Sequence, residues 1–149
     1  VKRRLFVLIN RATNVVVRRL GLRRYRGGDL LYLTTVGRNT GQSRNTPLLY
    51  LPEAGRWIVV ASNGGAYWDP GWWLNLQAGS PATVQIDGTS TSVTGTEVTG
   101  DEREQLWRVL NEKVFNYNRY QARTRRHIAV VALTPVADES RPPGASNPT

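Results

Sequence analysis

The 149 residues are enough for one domain and too few for two, so any ligand site must be built from one core and its surface. The chain has no cysteine and one histidine, which excludes disulfides, thiolate or multi-histidine metal sites and cysteine nucleophiles, and leaves demanding chemistry to a bound cofactor. Twenty lysines and arginines against eleven acids give a formal net charge of +9, which favours an anionic partner: a phosphorylated cofactor, an anionic membrane or a nucleic acid.

Residues 1–20 place Leu5, Leu8, Ile9, Ala12, Val16 and Leu20 at spacings of three and four, one stripe on an amphipathic helix, with Arg3, Arg4, Arg11, Arg18 and Arg19 over much of the rest. Such a helix docks its stripe on the domain and leaves its arginines in water, or lies on an anionic membrane surface. Docking is the favoured reading, and the two are not exclusive. No segment reaches the roughly 20 apolar residues of a membrane span.

From Asp29 the pattern turns to strands. Leu30 to Val36 is one; Thr46 to Leu51 and Trp57 to Ala61 form a hairpin across Pro52, Glu53, Ala54 and Gly55; Thr83 to Ile86 pairs with Thr89 to Val98 across Asp87-Gly88; and Ile128 to Leu133 is a continuous apolar run suited to a buried strand. Six short strands with few helices argue for a mainly β fold, a closed or nearly closed antiparallel barrel. Asp69 is placed to cap a short helix starting at Pro70 and stopping at Gly79, and Thr99 with Glu102 makes a capping box for a second helix through Leu106 and Leu110. Residues 1–28 thus read as helix and connector, 29–137 as the barrel domain, and 138–149, rich in Pro, Ser, Gly and Asn, as a disordered tail.

Two stretches could carry chemistry. Between strands, Gly37-Arg38-Asn39-Thr40-Gly41-Gln42-Ser43-Arg44 combines tight-turn glycines with guanidinium groups, an anion cradle in outline, although such a loop is often only a solvated hairpin. The strand ending Val60-Ala61-Ser62-Asn63-Gly64-Gly65 would let a planar ligand approach the backbone, with Tyr67, Trp68, Trp72 and Trp73 following as a pocket wall or as core. His127, beside Arg125 and Arg126, reads as solvated or locally bonded.

Taken together, Gly37-Arg38-x-x-Gly41-x-x-Arg44-x-x-Pro47-Leu48-Leu49-Tyr50, Val60-Ala61-Ser62-Asn63-Gly64-Gly65, Trp72-x-x-Asn75-Leu76 and Tyr117-x-x-Tyr120-x-x-Arg123-Thr124 resemble the deazaflavin-dependent nitroreductase family over roughly Asp29 to Val136. The resemblance implies a split β-barrel that holds coenzyme F420 and passes its hydride to a small organic acceptor: a quinone, a nitroaromatic or an activated enone. It puts Arg38, Asn39, Thr40 and Arg44 around the phosphate and acidic tail, with Asn45, Thr46, Pro47, Leu48 and Leu49 along the cofactor. Val60, Ala61, Ser62 and Asn63 then border the ring, and Gly71, Trp72, Trp73, Leu74 and Asn75 form a further side. Tyr117, with Ser62 second, is the polar group facing the acceptor as charge develops.

Many relatives carry a basic residue where this chain has Asn39, and Tyr and Pro where it has Val114, Phe115 and Asn116, so the likeness speaks more to the cofactor than to the acceptor. The alternatives are a non-catalytic deazaflavin carrier and an FMN enzyme on the same fold. No nucleic acid partner is expected, because the helix arginines dominate the charge excess and the aromatics do not interleave with basic residues along a strand. No metal is expected. The expected assembly is a monomer or weak dimer, cytoplasmic or at the inner face of the cell membrane.

Overall fold

The structure, a computed structural model, describes residues 2–136, so the tail expected over 138–149 lies outside the described residues. Helix α1 (Lys2–Leu20) leads through a short strand β1 (Arg24–Tyr25) into β2 (Gly28–Val36), β3 (Ser43–Leu49), β4 (Leu51–Glu53) and β5 (Arg56–Val60). A 3-10 turn (Asn63–Gly65) and helix α2 (Gly71–Gln77) precede the hairpin of β6 (Ala82–Ile86) and β7 (Thr89–Val98). Helices α3 (Gly100–Lys113) and α4 (Tyr117–Gln121) then return the chain to β8 (Val130–Pro135).

All strand pairs are antiparallel, in the order β1-β2-β6-β7-β8-β5-β4, with β3 on the remaining edge of β2. The strand expected as one piece over 46–51 begins earlier, at Ser43, and bends at Tyr50. Before the bend it pairs with β2, after it with β5, so one chain segment joins the two ends of the curled sheet. The Tyr50 amide donates to the Asp29 carbonyl at 3.3 Å as the partner changes. This is the split barrel the resemblance implied. The expected Asp87-Gly88 turn forms, and the connection expected over Pro52 to Gly55 shortens to Ala54-Gly55, since Pro52 and Glu53 pair in β4; both turns have positive φ at both positions, which matches the twist of the flanking strands.

β5 and β8 explain the unbroken apolar runs. Val59, Ala61, Val131 and Leu133 point into the barrel, while Ile58, Val60, Val130 and Ala132 point outward under Leu106 and Leu110 of α3. Strands covered on both faces need apolar residues at every position.

Three local expectations fail, the first two because a better partner lies across the fold. Pro70, not Asp69, is the N-cap of α2, because Asp69 pairs with Arg126 at 3.1 Å. Thr99 caps α3 without a side-chain bond, and Glu102 turns away from it to Arg56. Helix α1 packs on the barrel, but not through its stripe: Val17 is buried, whereas Leu5, Leu8, Ile9, Val16 and Leu20 are 56% to 67% exposed. The Tyr32 hydroxyl secures the end of the helix by donating to the Leu22 carbonyl at 2.7 Å.

Candidate active site

The loop between β2 and β3 folds on itself. The Gly37 amide donates to the Gln42 carbonyl at 2.7 Å, and a Cβ on Gly37 would lie 2.8 Å from Thr40 Oγ1, so this closeness requires glycine. Asn75, 97% buried in α2, holds the loop from beneath. Its Oδ1 accepts from the Arg38 amide at 3.1 Å and from Arg38 Nη1 at 3.0 Å, while Nδ2 donates to the buried Thr35 hydroxyl at 3.1 Å. Arg38 is therefore positioned at its root while its side chain stays exposed. Arg44 is not in the loop but on β3, opposite Thr35.

These residues form one wall of a groove of about 750 Å³ that runs between the hairpin, α2 and α1. Of the residues expected at the cofactor, Arg38, Asn39, Thr40, Arg44, Asn45, Thr46, Asn63, Gly71, Trp72, Leu74 and Asn75 line it. Five of its lining side chains are arginines and one, Asp69, is an acid, already engaged by Arg126. Asn45 also presents a buried Oδ1 with no hydrogen-bond partner among the described residues. A groove lined by five arginines fits an anionic ligand such as a phosphorylated cofactor.

Pro47, Leu48, Leu49, Val60, Ser62 and Tyr117 line a second, smaller pocket of about 160 Å³ together with Tyr25, Phe115 and Tyr120. The cavities share Asn14, and their boundary passes between consecutive residues, Thr46 and Pro47 on β3 and Ser62 and Asn63 at the turn. Ala61 and Trp73 line neither; both sit in the barrel core.

Tyr117 opens α4 and is 95% buried, edge-on to Phe115 at 5.4 Å, and Phe115 stacks on Tyr120 at 5.1 Å. Burial, with a smaller contribution from Tyr120, raises the Tyr117 phenol well above its ordinary range, so at neutral pH it is a hydrogen-bond donor and not an anion. Helix α4 reaches this place because Gly65, at φ 79°, lets the Tyr120 carbonyl approach to 2.9 Å from where a Cβ would stand.

Sequence reasoning passed over Arg126. Its guanidinium donates to the carbonyls of Ala61 at 3.1 Å, Ser62 at 2.8 Å and Ala66 at 2.8 Å as well as to Asp69, stapling the strand end that carries Ser62. Its burial lowers the Arg126 pKa, and Asp69 partly offsets this. Placed between Arg125 and His127 in sequence, it gave no local sign of burial. His127 is exposed, as a solvated role required, but its partner is not local: Nε2 lies 3.1 Å from Glu97 Oε2 on β7. Among the described residues no cluster of His, Asp and Glu suits a metal.

With this geometry established, likeness to known proteins is informative. The sequence profile of the F420H2-dependent quinone reductase family matches residues 2–135. An F420H2-dependent quinone reductase of Mycobacterium tuberculosis is 37% identical over 134 residues, 88% of each chain. Among solved structures, an F420-H2 dependent reductase, FDR-A, superposes with a TM-score of 0.63 at 33% identity over 72% of this chain and 94% of its own. A protein described as a domain-swapped dimer gives 0.64 at 28% identity over 89% and 95%. The profile spans both the basic groove and the aromatic pocket, and the chain belongs to the F420H2-dependent quinone reductase family.

Proposed function

We propose that this reductase of coenzyme F420 acts on a quinone, with the coenzyme in the basic groove and the acceptor in the aromatic pocket. The observation that carries the reading is the adjacency of the two cavities, which share Asn14 and divide between Thr46 and Pro47 and between Ser62 and Asn63. The bound coenzyme supplies a hydride; the protein positions and shields it. Arg38 and Arg44, with Asn39 and Thr40, hold the phosphate and carboxylates, and Asn75 keeps Arg38 in place. Asn45 to Leu49 flank the coenzyme; Val60, Ser62 and Asn63 border its ring; Gly71, Trp72 and Leu74 close the far side. Ala61 and Trp73 support this wall from the core. Tyr117 donates a hydrogen bond to an acceptor oxygen as negative charge grows there, and the aromatic walls exclude water.

The same reading includes contact with a lipid surface. The outward stripe of α1 leaves five large apolar side chains in water, each worth about 1.5–3 kcal/mol if buried, on a chain with net charge +9. Among the described residues no helix is long and apolar enough to cross a membrane. A surface-lying α1 would set the acceptor pocket, lined by Thr13, Asn14 and Val17 of that helix, next to lipid-soluble quinones.

Fluorescence titration with oxidised F420, with FMN for comparison, tests the coenzyme assignment: saturation by F420 alone is expected, and saturation by FMN alone overturns it. Reduced F420 should then be oxidised by a soluble quinone. Sedimentation with anionic liposomes should retain the wild type and release a Leu8→Asp/Ile9→Asp variant; equal recovery of both in the supernatant refutes the membrane contact.

A further inference from the structure

The orientation of α1 has a second side. Its outward side carries Leu5, Leu8, Ile9, Val16 and Leu20, while the side that lines the groove mixes Val7, Asn10, Asn14 and Val15 with three arginines. Arg3, Arg11 and Arg18 line that cavity opposite Arg38 and Arg44. Seven or eight residues apart, they share one helix face, spread over about 22 Å at 1.5 Å per residue. The helix crosses the groove from end to end. The Arg3 guanidinium lies 4.7 Å from the centre of the Trp68 ring beside α2, and Arg18 Nη1 donates to the Asn45 carbonyl of β3 at 3.4 Å. The one acid in the lining is held by Arg126, so these arginines have no internal countercharge in the groove.

A single phosphate answers to one pair of guanidinium groups. A row of positive charge along the roof, facing a second pair on the floor, answers to a string of carboxylates. We propose that α1 is part of the coenzyme site: Arg11 and Arg18, with Arg3 at the far end, bind the acidic tail of F420 from above, so that affinity grows with the number of carboxylates it carries. This rests on the coenzyme assignment above.

The test compares three proteins: the wild type, Arg11→Gln/Arg18→Gln, and Arg4→Gln/Arg19→Gln, which removes the same charge from positions outside the groove lining. Glutamine keeps helix propensity close to that of arginine. Each is titrated, by fluorescence, with F420 bearing several glutamates and with the deazaflavin riboside that lacks phosphate and tail. The inward pair should weaken F420 binding about tenfold, as expected for two solvent-accessible charged contacts, and flatten its salt dependence. It should leave riboside affinity unchanged, and Arg11→Lys/Arg18→Lys should restore most of the loss. The Arg4/Arg19 variant should stay within about twofold of the wild type by the same reasoning.

Equal F420 affinity of the wild type and the inward variant overturns the proposal and leaves the coenzyme assignment standing. Equal losses for riboside and F420 overturn it too, since α1 would then act only as a cover. So does an equal loss in the Arg4/Arg19 variant, which would make the effect one of net charge. Failure of the wild type to bind F420 removes the coenzyme assignment itself.

Discussion

Replacing Arg126 by methionine keeps an unbranched stem of similar length and removes every donor. The Ala61 and Ala66 carbonyls then lose the donor they have from Arg126, as does Asp69, while the Ser62 carbonyl keeps the Gly65 amide at 2.9 Å. A buried acceptor left unpaired costs about 1 kcal/mol at the low end. The Asp69 side chain is 36% exposed and can be rehydrated, so it adds little. Removing a guanidinium whose burial already lowers its pKa returns part of the desolvation cost, which keeps the total near the low end. The expected loss is about 2 kcal/mol, or about 4–8 °C in Tm for a chain of this size. Urea unfolding should show a lower midpoint at constant slope, because the surface exposed on unfolding is the same. Arg126→Lys, with one nitrogen to serve four oxygens, should recover less than half. A loss below about 1 kcal/mol for the methionine variant would refute the argument that this one side chain staples the Ser62–Asp69 segment.

Asn75→Leu keeps the branching and heavy-atom count and removes three hydrogen bonds; it should cost at least about 2 kcal/mol in thermal unfolding and weaken F420 binding several-fold, and unchanged affinity would show that Arg38 needs no anchor. Tyr117→Phe should lower turnover more than coenzyme affinity, with equal activity of the two proteins ending its proposed role. The same variant changes the alkaline limb of stability. Tyr117 ionises near pH 10 in the unfolded chain and higher in the folded one, so its contribution is complete below pH 10 and is lost as pH rises beyond it, by up to about 1.4 kcal/mol per pH unit. Phenylalanine should make that decline shallower without abolishing it, because burial also raises Tyr32 and Tyr50; parallel curves would contradict the assignment. Gly65→Ala places a Cβ 2.9 Å from the Tyr120 carbonyl at φ 79° and should lower stability by about 1–3 kcal/mol and displace α4, read as a drop in both Tm and turnover.

Much of the fold was legible because its signals are local. The apolar runs of β5 and β8, the Asp87-Gly88 and Ala54-Gly55 turns and the stop of α2 before Gly79 each depend on residues a few positions apart. The motifs around Arg38, Ser62, Asn75 and Tyr117 were legible too, since four short patterns in order point to one family even where each is weak. The closure of the barrel was less so: nothing local marks Tyr50 as the point where a strand changes partners, because that depends on the separation of β2 and β5.

What the sequence determined by itself is the set of elements, the positive charge, the absence of cysteine chemistry and the likeness to an F420 enzyme. What only the tertiary structure decided is where competing partners settled. Asp69 and Glu102 left their caps for Arg126 and Arg56, Arg126 became the staple beneath Ser62, and α1 turned three of its five arginines to the groove and its leucines to solvent. Helical periodicity shows that a helix has two faces, but which one packs depends on what lies opposite, and in this molecule that is built from residues far along the chain.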